Sequence, residues 1–291
     1  MKRIFKISTM VVALTMFFAS CVKDLDTLPI DPDAWTSNNT YKSAATYKLV
    51  LAKLYSGLAM TGQKGPAGAG DIEGIDEGFS SYLRAYWYHQ ELTTDEAVIG
   101  WNDQTIKNFH TQNWGSSDVF IAGMYYRIYY QICVCNEFIR ESSDAKLAEH
   151  GITSPADIET IKQFQNEARF LRALSYYHAL DLFGNVPFVT ENDPVGKFFP
   201  PQKSRADLFK YVESELLALE PLMSYSVKGL EYGRAGQAAV QTLLAKLYLN
   251  AEVYLGAGQG KYTECQTYCS KVIGAGYTLE PEYKNLFTAD N

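Results

Sequence analysis

Apolar residues in this chain recur at three- and four-residue intervals over long stretches and almost never alternate, which is the period of helices rather than strands. Over residues 41–58, Tyr47, Leu51, Leu54, Tyr55 and Leu58 fall on one face, and Gly62 predicts the stop. A second helix is expected from Ser117 or Asp118 to about Arg140, with Tyr125-Tyr126 and Tyr129-Tyr130 four apart and widening its buried stripe. A third opens with Ser154 as N-cap, Pro155 at the first helical position and Asp157 in the first turn, and closes near Gly184 with Pro187 just beyond. A fourth spans residues 205–219 before Pro221, a fifth runs from Ala235 to about Leu255, and a sixth from Tyr262 to Ile273. Strands find almost no support, so the expectation is an all-α chain.

The last two helices form a unit. Leu243-Leu244-Ala245, Leu247-Tyr248, Tyr262, Cys265 and Val272-Ile273 alternate small and large apolar residues as tetratricopeptide helix pairs do. Such a pair needs Ala where two helices approach closely and aromatics where they diverge. Ala173, Tyr176, Tyr177 and Leu180 repeat the idea in the third and fourth helices, but residues 184–204 are too long a connection for a regular period. The fold class read here is therefore all-α, with divergent tetratricopeptide-like helix pairs and one long irregular insertion. That insertion is residues 62–115, which open on glycines, pass an acidic cluster and carry Trp87, Trp101 and Trp114. Loops this long inside a compact domain are usually functional or disordered, and the aromatic density argues against disorder.

The N-terminus reads as an address. Lys2, Arg3 and Lys6 precede an apolar run over residues 10–19 that is too short to span a bilayer. Phe18-Ala19-Ser20-Cys21 resembles a bacterial lipobox, in which the cysteine is acylated and becomes the first residue; an ordinary secretory signal is the alternative. Residues 1–20 are thus expected to be a lipoprotein signal peptide, residues 21–40 a tether rich in Pro, Asp and small polar residues, and residues 41–291 the helical domain. A multiply acylated Cys21 would anchor the chain stably.

Composition narrows the function. Lys and Arg number 26 against 33 Asp and Glu, for a net charge of −7, with no basic stretch after the first residues. Phosphate affinity comes mainly from Lys and Arg, so nucleic acid is not an expected partner. The 21 Tyr, 15 Phe and 4 Trp exceed the needs of an ordinary core, which leaves some to face a ligand.

Catalytic and metal patterns are weak. Asp71, Glu73, Asp76 and Glu77 lack EF-hand spacing and read more simply as a solvated loop. Cys133, Cys135, Cys265 and Cys269 have no zinc spacing and are read as buried thiols; His89, His110, His150 and His178 form no metal motif, and His178 is expected in the core. No phosphate-binding loop or nucleophile elbow is present. Paired carboxylates also admit a glycosidase, which needs two of them flanking the bond. Neither metal nor cofactor is expected. What remains is Arg84, Tyr86, Trp87, Tyr88, Trp101, Asn102, Gln104 and Trp114, aromatic planes beside hydrogen-bonding edges, as sugar rings require. The alternative is that the three Trp are core anchors of a long loop. Trp101 differs, because it follows Gly100 and precedes Asn102-Asp103-Gln104, a polar setting that favours exposure.

Several segments together resemble the SusD/RagB family of outer-membrane lipoproteins. They are the run from Glu167 to Tyr177 (EARFLRALSYY), then residues 181–188 (DLFGNVPF), Gly233-Arg234-Ala235 with residues 243–249 (LLAKLYL), and residues 271–287. Residues 61–65, 76–78, 91–92 and 94–96 look like a starch-binding member of that family. The resemblance implies a glycan contact at Arg84 and at Trp101. It places that member's asparagine at Gln104 by counting, or at Asn102 with the loop shifted, and replaces a neighbouring aromatic by Ile99. Family members are longer, so the resemblance implies an N-terminal portion without the C-terminal half. The implied function is a lipid-anchored, surface-exposed outer-membrane protein that binds an oligosaccharide without cleaving it and passes it to a TonB-dependent transporter. A helical-repeat scaffold for protein partners is the rival, and exposure of Trp101 beside Arg84 discriminates between them.

Overall fold

The computed structural model describes residues 36–64, 70–103, 105–224, 231 and 233–288. The expected signal peptide, Cys21, Trp35 and Gln104 lie outside the described residues. The chain divides into two compact units, Met1–Thr40 and Tyr41–Asn291. In the first, the described residues form a single short helix, α1 (Ser37–Thr40), within a stretch the sequence reads as plain tether.

The second unit is helical. Its elements are α2 (Ala44–Ser56), α3 (Tyr82–Glu91), α4 (Asn108–Thr111), α5 (Val119–Glu141), α6 (Asp144–Glu149), α7 (Pro155–Phe183), α8 (Arg205–Leu219), α9 (Gln237–Leu249), α10 (Ala251–Leu255) and α11 (Tyr262–Ile273). The starts are chemical. Ser43 and Thr46 form a reciprocal capping box on α2, Asp118 accepts from the backbone of Phe120 and Ile121 on α5, and Ser154 and Ser204 cap α7 and α8. Helix α7 ends at Gly184, whose φ of 72° is a conformation that L side chains rarely adopt, and a Cβ there would lie 2.8 Å from the Arg205 guanidinium.

Packing follows the apolar faces. α7 lies along α5 and against α2 and α8, while α9 packs on α11. These are the tetratricopeptide-like pairs expected, around a core that includes Tyr47, Leu54, Ile128, Ala173, Tyr177, Leu216 and Leu244. The 184–204 connection is folded back by one antiparallel pair of two-residue strands, β1 (Val186–Pro187) and β2 (Gln202–Lys203). Tyr176 secures it, donating to the Val189 carbonyl at 2.6 Å and accepting from the Val189 amide at 2.9 Å. Glu167 on α7 accepts from the Tyr55 hydroxyl at 2.6 Å and from Arg234 Nε at 3.1 Å, tying α2, α7 and the lead into α9.

Four expectations need correction. Residues 62–115 are not irregular throughout, since they contain α3 and α4. The fifth helix breaks at Asn250 (φ −98°, ψ 11°) into α9 and α10. The paired tyrosines do not widen the buried stripe of α5: Tyr126 is exposed and Tyr125, Tyr129 and Tyr130 are half-buried, flanking a seam of Met124, Ile128 and Ile132. Among the four described thiols only Cys135 is buried; Cys265 is half-buried, and Cys133 and Cys269 are exposed, because they point off the apolar faces of their helices.

Candidate functional site

Helix α3 sets the geometry. Tyr82, Ala85, Tyr88 and the C-cap Leu92 are buried at helical spacing, so Leu83, Arg84 and Trp87 are turned toward the surface. A satellite core of Tyr88, Leu92, Ile106, Phe109 and Phe120 holds the chain after α3, with Ile99 and Ala97 packed on its rim. Ile99 therefore gives the loop a hydrophobic foot. The two residues after it swing outward, and Trp101 is 53% exposed.

Arg84 and Trp101 come together. The guanidinium carbon lies 5.0 Å from the Trp101 ring centre and 5.5 Å from that of Tyr88, within cation–π range. Arg84 Nη1 donates to the Gly78 carbonyl at 2.8 Å and Nε donates to the Tyr88 hydroxyl. Burial holds the Tyr88 phenol above its usual range, against a smaller opposing pull from the Arg84 charge and hydrogen bond. No described residue takes Nη2, so three of the five N–H donors of the fork, two on Nη2 and one on Nη1, remain for a ligand. Asp76, Gly78, Phe79, Gly100, Trp101, Asn102 and Asp103 complete an open cleft of about 770 Å³.

The other sequence candidates divide. Asn102 is exposed in the cleft, and its Oδ1 accepts from Lys107, which turns its amide NH₂ into the free end. The acidic cluster is partly occupied: Asp71 pairs with Lys53 at 2.8 Å and Asp76 accepts from its own loop at the Gly78 amide, 2.7 Å. Among the described residues no group of three or more His, Cys, Asp or Glu could hold a metal. His178 is buried, as expected, 2.9 Å from the Tyr82 hydroxyl. Trp87 and Trp114 are 46% and 45% exposed, so neither is a core anchor.

Sequence reasoning did not find the cleft's acidic rim at Asp103 or the Gly78 carbonyl that aims Arg84. The first carries no motif, and the second is a backbone group. It also passed over a group formed by His89, Gln90 and Asp181, which only the packing of α3 on α7 brings together.

No family model matches the chain. Starch-binding protein SusD of Bacteroides thetaiotaomicron is 37% identical over 285 residues, covering 98% of this chain and 47% of that protein. The chain thus spans about half the length of that curated relative. A crystal structure of a SusD superfamily protein from Bacteroides thetaiotaomicron matches with a TM-score of 0.62 at 19% identity, over 82% of this chain and 48% of that one. A crystal structure with a xylogluco-oligosaccharide matches with a TM-score of 0.57 at 22% identity, over 73% of this chain and 42% of that one. At such identities the two structures speak for the fold. With the sequence identity running along nearly its whole length, the chain belongs to the SusD family.

Proposed function

We propose that this is a glycan-binding protein of the cell surface, anchored through acylated Cys21, that captures starch-like or other oligosaccharides without cleaving them and delivers them to a TonB-dependent outer-membrane transporter. The observation that carries the reading is the pair Arg84 and Trp101, an exposed indole held beside a guanidinium with unspent donors. A sugar ring offers a C–H face to the indole and hydroxyls to the donors. Asn102 adds an amide edge, and Gln104, two residues on in the sequence, is a further candidate contact. The relative named for starch binding and the neighbour holding a xylogluco-oligosaccharide both favour a neutral glycan. A protein-only scaffold is disfavoured by the exposure of Trp101, which a core role would have hidden.

Isothermal titration with maltoheptaose and with a xyloglucan heptasaccharide tests the reading. Binding by wild type that is lost in Trp101→Ala supports it. Binding unchanged in that variant removes the cleft as the site, and release of reducing sugar during the titration would replace a binder with a hydrolase. Recovery of the transporter with the native protein from detergent-solubilised membranes tests the delivery step.

A further inference from the structure

A second cavity, of about 510 Å³, lies between the C-terminal half of α3, the segment around Phe109 and Trp114, and the end of α7. From Arg84 to Gln90 a helix advances about 9 Å and turns through about 240°, so this cavity opens on another side of α3 from the Arg84 cleft. Its volume is within the range of small-molecule sites, roughly 300–1,000 Å³.

The chemistry of its walls is selective. Trp114, nearly half exposed, lies 6.1 Å from the Phe109 ring and offers an apolar plane. Across from α3, the Asp181 carboxylate accepts from Gln90 Nε2 at 2.9 Å and from the Tyr254 hydroxyl at 2.7 Å. Those bonds fix its orientation and leave lone pairs, since an ionised carboxylate has about four acceptor sites. Thr93 already donates its hydroxyl proton to the His89 carbonyl at 3.1 Å, so toward a ligand it is an acceptor. His89 donates Nδ1–H to the Ala85 carbonyl at 2.7 Å, and burial holds the ring below its usual pKa and therefore neutral. Its buried Nε2, an acceptor in that tautomer, has no partner among the described residues. The walls thus combine an aromatic plane with several acceptors, and their one formal charge is negative. A uronate or phosphate would meet Asp181 with no cation to offset it, whereas a hydroxyl-rich neutral ring supplies the donors these acceptors lack.

We propose that this cavity is a second saccharide subsite that takes a neutral pyranose ring, stacked on Trp114 with its hydroxyls donating to Asp181. The inference rests on the glycan-binding reading but not on the Trp101 cleft. Two subsites on different sides of α3 favour a long or branched glycan over a short one, because the second contact becomes intramolecular once the first is made.

The test is fluorine NMR of the protein labelled with 5-fluorotryptophan, each resonance assigned by a Trp→Phe variant. It is titrated with maltoheptaose, with a xyloglucan heptasaccharide and with an oligogalacturonate. The Trp114 resonance is expected to shift with a neutral oligosaccharide, to do so also in Trp101→Ala, and to stay still with oligogalacturonate. Thr93→Val, which leaves the Asp181 bonds intact, is expected to weaken that response about tenfold. A Trp114 signal that stays still while Trp101 moves overturns the second subsite and leaves the proposed function standing. Movement of Trp114 alone supports the subsite and relocates the binding site. Silence of both with either neutral glycan removes both readings. A Trp114 shift that vanishes in Trp101→Ala, or that oligogalacturonate reproduces, overturns the inference.

Discussion

Arg84 holds Trp101 from the neighbouring helix, its guanidinium carbon 5.0 Å from the indole centre while the same side chain donates to the Gly78 carbonyl and the Tyr88 hydroxyl. One side chain thereby joins the first turn of α3, the acidic loop before it and the loop after it. Trp101 reaches its place without burying itself: Ile99 supplies the hydrophobic foothold two residues earlier, and the indole stays available.

Trp101→Ala should remove most of the apolar contact with a sugar ring and cost about 1–3 kcal/mol of binding while leaving the far-UV helix signal unchanged. Arg84→Ala should cost less, since its remaining donors face solvent, but should also alter Trp101 fluorescence because the indole loses its neighbour. Titration calorimetry and emission spectra on the two variants measure both. Equal binding by wild type and Trp101→Ala would place the sugar elsewhere.

Glu167 is a different kind of residue, nearly fully buried and held by Tyr55 and Arg234. Removing one partner of such a pair leaves a charge without compensation, at a cost of about 3–5 kcal/mol. Arg234→Met should lower the urea midpoint accordingly, and adding Glu167→Leu should recover part of the loss. A double variant that is simply the sum of two losses would mean that the two residues act independently.

Periodicity made the long helices legible because their apolar stripes and their caps agree. Ser154 with Pro155 announces a helix start that the structure reproduces. Helix α3 was not legible, since its aromatic sequence YLRAYWYHQE mixes buried Tyr82 and Tyr88 with exposed Trp87 and no side chain caps its start. The break at Asn250 was hidden for a related reason: apolar residues continue across it, and only the backbone angles change. At the cleft, Arg84 and Trp101 were legible through resemblance to a family. The contact between them depends on the Gly78 carbonyl and the Ile99 anchor, which have no local pattern. The group of His89, Gln90 and Asp181 spans two distant helices, and spacing within one segment cannot show it.

Cys21 bears on location. Its place after Phe18-Ala19-Ser20 makes acylation of this cysteine the proposed means of membrane attachment. Cys21→Ala should move the protein from the membrane pellet to the soluble fraction on cell fractionation. Tight association that persists after transporter deletion would count against the lipid anchor.

His178 makes stability depend on pH. Burial, and secondarily the positive charge of Lys246, push its pKa down to about 3, and the neutral ring sits 2.9 Å from the Tyr82 hydroxyl. In the unfolded chain the same imidazole titrates near 6.5. Above about pH 6.5 both states hold it neutral, and it adds nothing to the slope. Below that, the unfolded chain takes up a proton that the native core refuses, so stability falls with pH by about 1.4 kcal/mol per unit until the native pKa is reached. His89, whose pKa is lowered by burial, acts in the same direction. Wild type at pH 4.5 should therefore lose about 2–3 kcal/mol through His178 relative to pH 7.5. Acidic groups with lowered pKa values, such as Glu191 and Glu220, add to the total loss, so the decisive quantity is the difference from a variant without the imidazole. His178→Gln keeps an acceptor near Tyr82 and removes the titration. Urea unfolding at both pH values should show a shallower acid loss in that variant by about 2–3 kcal/mol, and parallel losses in the two proteins would mean that His178 does not titrate on unfolding.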